Sequence, residues 1–240
     1  VGPEAFTEVK YLGHEKQLQA LRRIPEIAAV FKDVFGRESG GLVHPYKTEG
    51  AETIVVALGS VNGTIKDVID EMQDGGAKVG SISICSFRPF PLQALAEALD
   101  GAKRVVVIEK SLAPGLGGIV AVNVRMALAR QPMPVYTVIA GLGGRPITMA
   151  SLREVFEAAG EDRLPDVQFL DLDHAAVEHE IIHARQNRRS GPTAENILRR
   201  LGAADRGREP WLIHPPPPIA PLSASSFTRP APTPSANPAH

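Results

Sequence analysis

The arrangement in this sequence nearest to a catalytic signature is His179-Glu180-Ile181-Ile182-His183. On a helix, histidines four residues apart share one face and can hold zinc, with Glu180 as the general base of a hydrolase. The neighbouring residues do not extend the pattern. Gln186 and Arg189 stand where a longer zinc-peptidase motif would place glycine and histidine. Glu195 is a conceivable third ligand, but Gly191-Pro192 intervenes and leaves its distance arbitrary. A solvated helix face with scattered histidines accounts for the motif better, so zinc hydrolysis with His179 and His183 as ligands is kept as an alternative only.

Two glycine-rich loops have anion-binding character. They are Gly59-Ser60-Val61-Asn62-Gly63-Thr64 and Ser111-Leu112-Ala113-Pro114-Gly115-Leu116-Gly117-Gly118. Each precedes an expected helix, whose free N–H groups favour a phosphate. Neither matches a Walker A loop or a complete dinucleotide fingerprint. Glycines that make tight strand-to-helix turns explain both more simply. Phe87-Arg88-Pro89-Phe90-Pro91 is more particular, with two aromatics flanking an arginine in a loop stiffened by proline. That composition favours an interface, or a helix-initiating loop whose aromatics plug the end of a core. Gly141-Leu142-Gly143-Gly144-Arg145-Pro146 is a further loop rich in glycine and arginine. Cys85 ends an apolar strand, where a buried, inert thiol is expected. No Ser/His/Asp or Cys/His nucleophile arrangement stands out.

Composition excludes several classes. The single cysteine cannot form an internal disulfide and suits a reducing cytosol. Nor can it supply the four thiolates of a [4Fe–4S] cluster, so any electron transfer served by this chain takes place in another polypeptide. The net charge of -1 gives no reason to expect nucleic acid as a partner. No apolar run approaches the roughly 20 residues that span a bilayer, and no charged n-region followed by an apolar h-region opens the sequence. The first residue is Val1, which reads as a fragment or a processed product.

The elements that must position these groups follow a regular pattern. Residues 3–35 read as helical, with Leu18, Leu21, Ile24, Ala28, Val30 and Phe31 at helical spacing and Pro25 expected to break or kink the run. Thr53 to Leu58 is a continuous β-branched, apolar run, the mark of a strand buried on both faces. Further strands are expected at 78–85, 104–108, 135–140 and 167–170. Helices fall between them, carrying Ile65, Val68, Ile69 and Met72, then at 91–99, 118–129 and 151–159, the last with Ser151 as N-cap. Such alternation implies right-handed βαβ crossovers and an α/β fold with a mostly parallel sheet and helices on both faces. A polar helix is expected from about Asp173, and a short basic helix over 194–201. The proline-rich residues 203–240 read as a disordered tail, apart from the cluster Trp211-Leu212-Ile213.

Several of these segments, in order, resemble the α subunits of pyruvate:ferredoxin oxidoreductases. The run Tyr46-Lys47-Thr48-Glu49-Gly50-Ala51-Glu52-Thr53-Ile54-Val55-Val56-Ala57-Leu58-Gly59-Ser60 looks like the entry to their core domain II. Phe87 to Pro91, Gly141 to Thr148 and Arg188-Arg189-Ser190-Gly191-Pro192-Thr193-Ala194-Glu195 continue the likeness, which covers roughly residues 3–202. The resemblance implies a domain like the C-terminal domain of transketolase. It also implies a complex that oxidatively decarboxylates a 2-oxoacid with thiamine diphosphate, Mg2+, [4Fe–4S] clusters and coenzyme A. The implied partners are a thiamine-binding β subunit, γ and ferredoxin-like δ subunits, and ferredoxin or a similar acceptor in the cytoplasm. In that family the thiamine contacts lie in a preceding domain and in the β subunit, so no catalytic or cofactor-binding residue is carried over to this chain.

The expected organisation is a helical lead-in over 1–50 from a missing N-terminal domain, the α/β domain with its C-terminal helices over 51–202, and the tail. Phe87, Arg88, Phe90, Gly143, Gly144 and Arg145 are the candidates for an interface with the other domains. A stand-alone transketolase-like binding module is the other alternative.

Overall fold

The β-branched runs form the centre of a six-stranded sheet in the computed structural model, which describes residues 2–131 and 133–187. The short basic helix and proline-rich tail expected from the sequence lie outside the described residues. The chain divides into two units, 1–172 and 173–240.

In the first unit the strands are β1 (Val43–Tyr46), β2 (Thr53–Ala57), β3 (Val79–Ile84), β4 (Arg104–Glu109), β5 (Val135–Ile139) and β6 (Val167–Phe169). Their order across the sheet is β1-β3-β2-β4-β5-β6, and every pairing is parallel except that of β1 with β3. Helices α2 (Val61–Asp74) and α5 (Met149–Gly160) pack on one face, α3 (Leu92–Ala98) and α4 (Ile119–Ala127) on the other. Residues therefore alternate between two cores. Val55, Val106, Ile108 and Val138 face α2 and α5, whereas Ile54, Val56, Val105 and Val107 face α3 and α4. Covering both faces is why these strands read as unbroken apolar runs and not as alternating ones. Each fully buried valine or isoleucine contributes about 1.5–3 kcal/mol.

Four local details differ from the sequence reading. First, α1 (Pro3–Phe35) runs unbroken through Pro25. One proline removes a single backbone bond, and the turns on either side hold the helix together across it. Leu21, Ile24, Ala28 and Phe31 form its half-buried stripe, while Leu18 and Val30 are exposed. Second, β1 adds an antiparallel edge strand within the glycine-rich stretch before residue 51, with Pro45 tolerated because it lies at the sheet edge. Third, the N-cap of α5 is Thr148 and not Ser151. Thr148 has extended backbone, and its hydroxyl accepts from the Ser151 N–H at 3.1 Å. Fourth, Cys85 is exposed just past the end of β3 instead of buried. Local desolvation nevertheless holds its thiol above the ordinary cysteine range.

Candidate functional site

The chain leaves β2 for β3 on one side and then crosses to β4 on the other, so the winding of the sheet reverses between β2 and β4. Crevices form outside the carboxyl ends of the strands at such a reversal. Here a cavity of about 280 Å³ opens at that point, floored by Leu58, Val61, Ile108, Val120 and Ile147. Lys110 and Ser111 complete its lining beside Glu109.

Glu109, the last residue of β4, is buried and governs this edge of the sheet. One carboxylate oxygen accepts from the Ile119 and Val120 N–H groups, each at 2.8 Å, and from the Ser111 hydroxyl at 2.5 Å. The other accepts from the Ala121 N–H at 2.9 Å. The N-terminus of α4 therefore already holds an anion, one supplied by the chain itself. This removes the phosphate reading of the loop over 111–118. It also explains Gly118, where an added Cβ would stand 1.9 Å from the Glu109 Oε1 atom. The loop after β2 is likewise closed on itself: the N–H groups of Asn62 and Gly63 bond the carbonyls of Gly59 and Ser60 at 3.3 and 3.1 Å. Sequence reasoning passed over Glu109. Its only signal is a carboxylate closing a mostly apolar strand, with Gly115 and the pair Gly117-Gly118 between it and the next helix.

The loop after β3 gathers three of the interface candidates. The rings of Phe87 and Phe90 meet edge to face with centroids 6.0 Å apart, and both pack against the core beneath α3 and α4. The Arg88–Pro89 peptide is cis. Arg88 is exposed, its guanidinium 4.2 Å from the Phe87 ring centroid and donating to the Phe87 carbonyl at 2.6 Å. The aromatics thus close the core, the second of the two readings of this composition, while the arginine stays outside.

Gly143, Gly144 and Arg145 lie elsewhere on the same edge. A single 3-10 turn over Leu142–Gly144 follows β5, with Gly143 and Gly144 at positive φ. Arg145 donates to the Asp171 carbonyl, and the Ser151 hydroxyl donates to the Asp171 carboxylate at 2.9 Å. Arg145 therefore ties its loop to the chain just beyond β6. Since β2 and β4 separate β3 from β5, the two candidate loops stand about 14 Å apart at strand level.

Residues 51–152 match the family described as pyruvate:ferredoxin oxidoreductase core domain II. The chain is 42% identical to the pyruvate synthase subunit PorA of Thermotoga maritima over 157 residues, 62% of this chain and 40% of that protein. The chain belongs to the pyruvate:ferredoxin oxidoreductase family. It is also 35% identical to the PorA subunit of Methanosarcina barkeri over 179 residues, covering 71% of this chain and 44% of that one. The α subunit of an NADH-dependent phenylglyoxylate dehydrogenase from Aromatoleum evansii is 32% identical over 65% of this chain and 38% of its own length. The chain thus spans less than half the length of these curated relatives. A solved split-gene transketolase aligns with a TM-score of 0.42 at 20% identity, over 52% of this chain and 43% of its own. The fold described above rests on strand order and not on that alignment.

Within core domain II the residues do not fit a resident thiamine diphosphate or iron–sulfur cluster. Glu109 occupies the one helix N-terminus framed by a long glycine loop, and Cys85 is the sole thiol of the chain. In the second unit, His179 and His183 stack on α6 (His174–Asn187) with ring centroids 6.1 Å apart. Among the described residues no group of three or more His, Cys, Asp or Glu side chains could hold a metal ion, whereas a zinc site needs at least three protein ligands. Glu195 lies outside the described residues. Among the described residues the zinc-hydrolase alternative therefore has no geometry behind it. Among the described residues no helix is long and apolar enough to cross a membrane.

Proposed function

We propose that this chain is an assembly portion of a cytoplasmic, thiamine-dependent 2-oxoacid oxidoreductase and carries no catalytic group of its own. The observation that carries the reading is the 42% identity to a pyruvate synthase subunit, centred on core domain II. The complex decarboxylates a 2-oxoacid oxidatively, forms an acyl-CoA and passes electrons to ferredoxin or a related acceptor. Thiamine diphosphate and Mg2+ belong to the remaining part of the α subunit and to a β subunit. The [4Fe–4S] clusters belong to β and ferredoxin-like δ subunits, and a γ subunit completes the assembly. Residues 1–50 lead in from the thiamine-binding part, and residues 51–202 make up the domain that packs beside it.

On this reading the exposed carboxyl edge of the sheet is the packing surface. Arg88, stacked on Phe87, forms one anchor, and the turn Gly143-Gly144-Arg145 forms the second. Rigid loops carrying a stacked arginine suit such contacts, because little side-chain entropy is lost on docking. The test is to isolate the chain from its native source without denaturant and identify the co-eluting polypeptides by mass spectrometry. Co-elution with subunits that carry thiamine diphosphate and iron–sulfur centres is expected. A monomer that co-elutes with none of them would overturn the proposal and favour a stand-alone binding module.

A further inference from the structure

We propose that the crevice between the carboxyl ends of β2 and β4 binds a small aliphatic carboxylate, with Lys110 as its counter-ion. The site is built from the first unit of this chain alone and lies between the two loops proposed to pack against the other domains. Its volume of about 280 Å³ falls just below the roughly 300 Å³ at which small-molecule pockets begin, so the ligand is small. The floor is made by Leu58, Val61, Ile108, Val120 and Ile147, so the body of the ligand is apolar.

The polar groups at the lip decide the head. Glu109 lines the crevice, but its two oxygens are saturated by three backbone N–H groups and the Ser111 hydroxyl. They neither call for a cation nor leave the α4 amides free for a phosphate. Lys110 is different. It is exposed and has no ion pair among the described residues. Its stem lies along Gly141, where an added Cβ would come within 2.9 Å of the Lys110 Cε atom. One cation at the lip of an apolar floor matches one negative charge on an aliphatic body. A phosphate monoester would find a single cation, with the α4 amides already taken by Glu109, which is too little for its charge. The larger hollow at the opposite edge of the sheet, about 450 Å³, offers an anion no free cation among the described residues. Its Glu52, Lys78 and Arg104 are already engaged in ion pairs.

The test is a methyl-detected NMR titration of the full 240-residue chain with 3-methylbutanoate, its neutral analogue 3-methylbutan-1-ol, and inorganic phosphate. Saturable shifts are expected at the methyls of Leu58, Val61, Ile108, Val120 and Ile147, with a Kd for the acid on the order of 1 mM. The acid should bind roughly threefold to tenfold more tightly than the alcohol, and phosphate should leave these methyls unmoved. Lys110→Gln, an exposed substitution that leaves the core intact, should erase the preference for the acid while leaving alcohol binding unchanged. Val61→Phe, which fills the cavity, should abolish both. The proposal is overturned if the floor methyls show no saturable shift, if phosphate competes with the acid there, or if Lys110→Gln retains the preference.

Discussion

The two edges of the central sheet treat charge in opposite ways. At the amino edge, just before β2, Glu52 bridges Lys78 at 3.0 Å and Lys103 at 2.9 Å, residues that lead into β3 and β4. Arg104 grips Asp162 with two bonds of 2.9 and 3.1 Å, and the Tyr136 hydroxyl adds a third contact to that carboxylate at 3.3 Å. At the carboxyl edge the one buried carboxylate, Glu109, is turned inward onto α4, while Lys110, Arg88, Leu116 and Leu142 face solvent. The amino edge holds the strands in place, and the carboxyl edge leaves groups available for something else to meet. That asymmetry is expected of parallel sheets, whose ligands and partners gather at the carboxyl ends.

The comparison can be broken most forcefully at Glu109. Glu109→Ala leaves three amides and a hydroxyl without their acceptor inside the core, and should lower stability by about 3 kcal/mol in urea denaturation. A loss below about 1 kcal/mol would mean that the carboxylate does not organise the carboxyl edge. Gly118→Ala should cost about 2 kcal/mol, since the new methyl collides with that carboxylate. Next comes Arg88→Ala, whose stacking on Phe87 contributes only about 0.5–1 kcal/mol to folding. Recovery of the assembled complex should fall well beyond what that change in stability explains. Normal assembly by this variant would remove Arg88 from the interface.

The smallest effect belongs to the amino edge. Lys103, and then Lys78, hold the Glu52 carboxyl down to about 2. Because its folded pKa lies below the unfolded one, the pair stabilises the fold at neutral pH. The contribution is lost as pH falls from the ordinary glutamate range toward about 2. The Tm gap between the wild-type chain and Glu52→Gln should therefore be small at neutral pH and shrink steadily on acidification. A gap that widens in acid would reverse the assignment.

How legible each part was in the sequence follows the same division. Strands β2, β4 and β5 could be read directly, because burial on both faces demands the β-branched runs that compose them. β1 could not, because an edge strand of four residues containing a proline has no periodicity to detect. The cap of α5 was misplaced by three residues, since Thr148 and Ser151 are both capping types and only backbone angle separates them. Glu109 was invisible for a deeper reason. Its role is to satisfy the amides of a helix that begins ten residues later, and such pairing exists only once the loop between them has folded. Lys110 was missed likewise, because a lysine with no ion pair is a fact about its surroundings and not about its neighbours in sequence. The aromatic loop was legible as a composition with two uses, and only the fold shows that Phe87 and Phe90 turn onto the core.

On the proposed function, this chain contributes to 2-oxoacid oxidation only as part of a larger assembly. The most direct measurement is viologen-dye reduction driven by pyruvate and a panel of other 2-oxoacids, made with the chain alone, with its co-purified subunits, and with those subunits after the chain is withdrawn. Reduction is expected only in the complete mixture. Turnover by the chain alone, or undiminished turnover without it, would show that the chain is not such a portion.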